Sequence, residues 1–164
     1  GELMAEKLSD SGVEVRIARF HNVYGPYASI DDRYSQVIPS LCKRILLARP
    51  GSNLSVWGSG NQSRSFLYVQ DAIEGLVMLE QYSQSGVGTV QFGDSKPTSI
   101  RYVAEKLLDL SEKNLQIQWS RPELEGDFCR VPDVEKAREV LGWERKVVID
   151  DGLSMTLESV KAEV

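Results

Sequence analysis

Few residues in this chain are of types and spacings that do chemistry. The single histidine, His21, follows a strand-like run and has no Gly-x-Ser-x-Gly elbow near it. A Ser/His/Asp arrangement therefore lacks a presented nucleophile, and a packed, hydrogen-bonded structural histidine is the competing reading. The carboxylate pairs Asp31-Asp32 and Asp150-Asp151 are adjacent in sequence. Their side chains diverge, which suits turns and caps rather than paired acid–base work. Tyr102-Val-Ala-Glu-Lys106 sets a phenol and an ammonium one helical turn apart. That spacing lowers a phenol pKa and makes a base of it. It also arises by chance, and Tyr102 lies on the side of an amphipathic helix. No catalytic residue is assigned.

Phosphate cradles are absent in the usual forms. Gly58-Ser-Gly60 is followed by Ser63 where a third glycine would complete a dinucleotide fingerprint, and no Gly-x-x-x-x-Gly-Lys-Ser/Thr occurs. Cys42 and Cys129 lie far apart, without a Cys-x-x-Cys. This excludes a disulfide framework and a Cys/His zinc site; a reducing, cytoplasmic setting is expected and no metal is assigned. What remains is a scatter of arginines and amides at the ends of elements: Asn22, Arg64, Arg121 and Arg130. Guanidinium groups bind phosphate bidentately, and an amide donates to phosphate while accepting from a sugar hydroxyl. Trp57 and Phe66 suit base stacking or a core. An anionic-ligand site and a solvated surface both fit this pattern.

The elements that would position these groups read clearly. The chain has 164 residues, 41% of them apolar, with 19 basic and 24 acidic side chains and a net charge of −5. That suits one globular unit burying roughly 70% of its unfolded surface. It excludes a basic nucleic-acid arm and a membrane span. Periodicity predicts a helix over 2–9, a strand over 13–20 with Val13, Val15 and Ile17 on one face, and a helix over 34–48. Strands follow at 54–57 and 64–69. A helix over 72–82 has Asp71 as its N-cap or first-turn acid and Ile73, Leu76, Val77 and Leu79 as its apolar face. A strand is expected at 89–92, a helix at 100–110 capped by Ser99, and a strand at 115–119. Asp133 caps a short helix ending at Gly142, and a last helix starts near Asp151. Alternating strands and helices indicate an α/β fold.

Several segments taken together carry a resemblance. These are Arg19-Phe-His-Asn-Val-Tyr-Gly-Pro26, Val37-Ile-Pro39, Trp57-Gly-Ser-Gly-Asn-Gln-Ser-Arg-Ser-Phe-Leu-Tyr-Val-Gln-Asp71, Gly126-Asp-x-x-Arg130, Asp133-x-x-Lys-Ala137 and Leu141-Gly-Trp143. In order and spacing they resemble the NAD-dependent epimerase/dehydratase family, the extended short-chain dehydrogenases acting on nucleotide sugars. Arg-Phe-His-Asn and Arg-Ser-Phe look most like GDP-mannose 3,5-epimerases; most relatives carry an acid where Ser65 stands.

The resemblance implies a remnant of a Rossmann-type parallel sheet in residues 1–33 and a mixed α/β nucleotide-sugar-binding domain in 34–164. It implies that Asn22, Arg64 and Arg130, with Arg121, meet a diphosphate. Gln36, Val37 and Trp57 would hold base and ribose, and Phe20 and His21 would brush a nicotinamide. The family's cofactor glycines and catalytic Tyr-x-x-x-Lys precede the position matched by Gly1-Glu2, and Tyr102/Lys106 falls on a different helix. The chain thus resembles the C-terminal, substrate-binding portion of such an enzyme. NAD belongs to the complete enzyme, and this chain alone is expected to be inactive and to bind no NAD tightly. The expected partners are a nucleotide diphosphate sugar and a second copy or an N-terminal half, with no nucleic acid and no membrane. A stand-alone nucleotide-sugar-binding or protein-interaction module that reuses the fold is the alternative.

Overall fold

The computed structural model describes residues 1–121 and 127–164. Helix α1 (Glu2–Ser9) leads to strand β1 (Arg16–Phe20) and the short β2 (Val23–Tyr24). Then come α2 (Val37–Leu47), β3 (Asn53–Trp57), β4 (Ser63–Arg64), β5 (Leu67–Tyr68) and α3 (Val69–Gln81). The rest is β6 (Gly88–Phe92), β7 (Thr98–Ser99), α4 (Ile100–Ser111), β8 (Gln116–Ser120), β9 (Cys129–Arg130), α5 (Glu135–Leu141) and α6 (Ile149–Lys161). The fold is α/β. β1 pairs parallel with β6, bringing Phe20 opposite Phe92, and β3 pairs parallel with β8. β2 pairs parallel with β5, and β4 lies between antiparallel β7 and parallel β9.

Local chemistry sets many of these ends. Ser99 Oγ accepts from Tyr102 N at 3.1 Å and starts α4. Asp133 Oδ1 accepts from Glu135 N at 3.0 Å ahead of α5, which stops at left-handed Gly142. Each satisfies backbone groups that a helix end leaves without partners. In β3, Leu54 and Val56 point inward and their neighbours outward, the period of two that a half-buried strand requires.

Two cores form. The larger joins Ile38, Leu41 and Ile45 of α2 to Leu54 and Val56 of β3, Val103 and Leu107 of α4, and Leu153 and Leu157 of α6. Full burial of each such side chain is worth about 1.5–3 kcal/mol. The smaller gathers Leu67, Leu79, Val90, Phe92, Ala137 and Trp143 around the β1–β6 pair. Phe92 and Trp143 meet edge to face at 5.1 Å.

Three expected elements are corrected in extent. The strand of 13–20 pairs only from Arg16, and the helix of 34–48 starts at Val37. The strand of 64–69 is two pieces in different sheets. Between them Ser65 Oγ accepts from Asp94 N at 2.8 Å and turns the chain from one sheet to the other.

Helix α3 buries Ala72, Gly75 and Leu79, while Ile73, Leu76 and Val77 stay about half exposed. Gly75 decides this. A Cβ there would stand 2.6 Å from the Phe92 ring, so the helix approaches that ring through its glycine and the aliphatic residues rotate outward. Asp71 is the first-turn acid of α3, whose N-cap is Tyr68. Asp71 is buried, and its carboxylate accepts from Val147 N at 3.0 Å while its carbonyl accepts from Trp143 Nε1 at 3.1 Å.

Candidate functional site

A groove of about 420 Å³ opens where β3, β4 and the first turns of α2 and α4 meet. Asn22 reaches it from the β1–β2 connection. Its backbone has a positive φ of 33°, and its side-chain amide donates to Ser65 O at 2.8 Å. Gln36 and Val37 bring the start of α2, and Ser40, Leu41 and Arg44 continue the same helical face. Val56 and Trp57 supply the end of β3, Gln62 and Arg64 the region of β4, and Ile100 the start of α4. Gly60 permits the β3–β4 turn. Its φ is +83°, and a Cβ would stand 2.6 Å from the Trp119 ring.

The lining has a definite electrostatic sense. Among the described residues, Arg44 and Arg64 are its ionisable groups and no carboxylate lines it. Arg64 Nη1 donates to Ser63 O at 2.8 Å and Asp127 O at 2.6 Å. Those bonds fix the guanidinium, and its Nε and Nη2 make no hydrogen bond among the described residues. Arg44 donates to Ser55 O. The indole of Trp57 is 62% exposed, with the Arg121 guanidinium 5.3 Å from its centroid. A concave surface with two cations, amides and an exposed aromatic face fits a planar ring carrying an anionic group. A second cavity of about 780 Å³ shares Val37, Ser40, Arg44 and Trp57, so the groove continues along α2.

Five residues expected from the sequence therefore converge: Asn22, Gln36, Val37, Trp57 and Arg64. Arg121 does not line the groove but covers Trp57. Arg130 also lies outside the lining. Its guanidinium pairs with Asp127, whose carboxyl that contact holds below its usual value. Gly126 of the Gly-Asp motif lies outside the described residues. Phe20 stacks on Phe92 at 5.4 Å, and His21 Nε2 is 3.3 Å from Gln91 Oε1, both at the C-terminal end of β1. Arg44 and Gln62 were missed. Arg44 is seven residues beyond Val37, one helical face, and Gln62 is two before Arg64, one strand face, so the spacing carried both.

Tyr102 and Lys106 do not form a base. Tyr102 Oη donates to Asp150 Oδ1 at 2.6 Å, and Lys106 Nζ sits 2.9 Å from Asp150 Oδ2. The hydrogen bond to the carboxylate raises the phenol pKa, opposite to what a base requires. Among the described residues no three His, Cys, Asp or Glu are grouped to hold a metal, and no helix is long and apolar enough to cross a membrane.

Comparison with known proteins adds to this geometry. Residues 1–92 match the model of the NAD dependent epimerase/dehydratase family. The chain is 35% identical over 159 residues to UDP-glucuronic acid decarboxylase 6 of Arabidopsis thaliana, covering 97% of this chain and 44% of that protein. It is 34% identical over 157 residues to UDP-glucuronic acid decarboxylase 1 of Xenopus tropicalis, covering 96% and 36%. It thus spans less than half of these relatives. Among solved structures, UDP-glucose 4-epimerase of Thermotoga maritima superposes with a TM-score of 0.88 at 22% identity, covering 99% of this chain and 51% of the other. UDP-glucuronic acid 4-epimerase of Bacillus cereus, solved with UDP-glucuronic acid and NAD, gives 0.86 at 23%, covering 99% and 50%. These neighbours share the fold. None of these relatives supports the finer resemblance to GDP-mannose 3,5-epimerases. With the family match extending over more than half of its length, the chain belongs to the NAD dependent epimerase/dehydratase family.

Proposed function

We propose that this chain grips the nucleotide-diphosphate part of a nucleotide sugar in the groove between α2, β3 and β4. The observation that carries the reading is the convergence of Asn22, Gln36, Val37, Trp57 and Arg64 on one cavity lined, among the described residues, by two guanidiniums and no carboxylate. In this reading Arg64 binds the diphosphate through its unengaged Nε and Nη2, and Trp57 with the start of α2 holds base and ribose. Names of relatives at 34–35% identity favour a uridine diphosphate sugar over a guanosine one.

NAD is the family's redox group, and it takes and returns hydride when bound. Toward it this chain offers the end of β1, where Phe20 is stacked on Phe92 and His21 is paired with Gln91. These residues form no pyrophosphate cradle, so the reading assigns them contact at most and routes no step through the cofactor. The chain alone is accordingly a binding unit without turnover, and the exposed apolar residues of α1 and α3 favour self-association.

Calorimetric titration of the chain with UDP-glucuronic acid and a GDP-sugar tests the reading. The UDP-sugar is expected to bind more tightly, and Arg64→Ala to weaken it about 10- to 100-fold through loss of a charge-assisted contact. Absence of binding at millimolar ligand, or an Arg64→Ala variant that binds like the parent, refutes it.

A further inference from the structure

One polar atom of the groove has no partner among the described residues. Gln62 Oε1 is buried and accepts no hydrogen bond, the one such side-chain atom among the described residues. A buried acceptor left unpaired costs free energy, and native proteins rarely leave one without a purpose. The surrounding backbone is already satisfied. Gln62 O accepts from Ile100 N at 3.0 Å, and Ser63 N donates to Phe128 O at 2.8 Å. The lining arginines do not serve it: Arg44 donates to Ser55 O and Arg64 Nη1 to the Ser63 and Asp127 carbonyls, while Arg64 Nε and Nη2 stay open toward the groove. The side-chain oxygen is therefore held at the groove wall by bonds that do not involve it.

We propose that Gln62 is a specificity-determining residue whose Oε1 accepts a hydrogen bond from an O–H or N–H donor of the bound nucleotide sugar. This rests on the function proposed above. An acceptor oxygen gains nothing from a phosphate oxygen, itself an acceptor, so the partner is a donor of the ligand: a hydroxyl of the ribose or the hexose, or an N–H of the base. A site built to pair a ligand hydroxyl discriminates strongly against a ligand lacking it, because the unpaired site group stays buried.

Gln62→Met keeps the length of the side chain and removes its amide, the acceptor oxygen together with the donor nitrogen. Calorimetric titrations of the full chain and this variant with UDP and with UDP-glucuronic acid, alongside thermal melts, decide the matter. The variant is expected to bind UDP-glucuronic acid about 5- to 100-fold more weakly. Its Tm is expected to be unchanged or raised, since no protein donor loses an acceptor. An equal loss for UDP assigns the partner to the nucleoside, and a loss confined to the UDP-sugar assigns it to the hexose. Undiminished binding by the variant overturns the inference while leaving the proposed function standing. So does weakened binding accompanied by a lowered Tm or failure to fold, because the side chain is then structural. If the parent chain binds neither ligand, the proposed function fails and the inference with it.

Discussion

Arg64 and Arg130 are register partners on the adjacent parallel strands β4 and β9, and Asp127 holds both: its carbonyl accepts from Arg64 and its carboxylate pairs with Arg130. Register partners in a parallel pair face the same side of the sheet, so two like charges stand side by side with one acid serving both. In the function proposed above, a diphosphate arriving at Arg64 would compete with that acid for Arg130.

Asp127→Asn removes the competing charge and releases Arg130 while leaving the carbonyl that fixes Arg64. Affinity for a UDP-sugar is expected to rise about 3- to 10-fold at low salt, an effect that shrinks as added salt screens it. Titrations at two ionic strengths check this; unchanged or weaker binding at low salt contradicts it.

Asp150 joins α4 to α6 through Tyr102 and Lys106. Its hydrogen bonds from Tyr102 and then Lys106 lower its pKa, so its contribution is fully present above the ordinary carboxylate value and is lost as pH falls through the lowered one. Asp150→Asn is therefore expected to flatten the fall of Tm below about pH 4 and to lower Tm modestly at pH 7. Melts from pH 7 down to pH 2.5 test this, and parallel curves for parent and variant count against it.

Gly75→Ala inserts a methyl into the Phe92 and Trp143 rings. Overpacking costs about 1–3 kcal/mol, partly offset by the helix preference for alanine of about 1 kcal/mol. A net loss of Tm of about 2–6 °C is expected. A variant as stable as the parent shows that α3 can withdraw from the sheet without cost.

Helix α1 buries no side chain, and Leu3, Met4 and Leu76 are exposed along with Ile73 and Val77. Self-association through these residues is expected at about 100 µM, well above a typical micromolar dissociation constant. Leu76→Lys is expected to return the chain to monomer with its circular dichroism unchanged. Sedimentation of the parent as a clean monomer at that concentration removes the idea.

What was legible in the sequence was local. Ser99 and Asp133 announce the helices they precede because a cap hydrogen bond spans two or three residues, and the alternation in β3 is visible in Leu54 and Val56. The facing of α3 was not legible. Ile73, Leu76 and Val77 form the better apolar stripe on paper, and Gly75 wins because of Phe92, seventeen residues away. The break between β4 and β5 depends on Ser65 meeting Asp94, again a contact between distant segments. In the groove, motif positions carried Asn22, Gln36, Val37, Trp57 and Arg64. Gln62 stood out only through its buried, unpaired side-chain oxygen, a property of packing and not of residue type.

β4 is two residues long, yet three stretches of chain meet on it: Ser63 and Arg64 pair with Thr98 and Ser99 on one side and with Cys129 and Arg130 on the other. Ser63 N and Ser65 N both donate to the carbonyls around β9, at 2.8 and 3.2 Å. So short a ladder opens readily by itself, exposing its amides to solvent exchange without global unfolding. A ligand seated against Arg64 would hold the three stretches together at their crossing point. Occupancy of the groove would then register as slowed deuterium uptake at Ser63, Ser65 and Ile100, amides that no ligand atom has to touch.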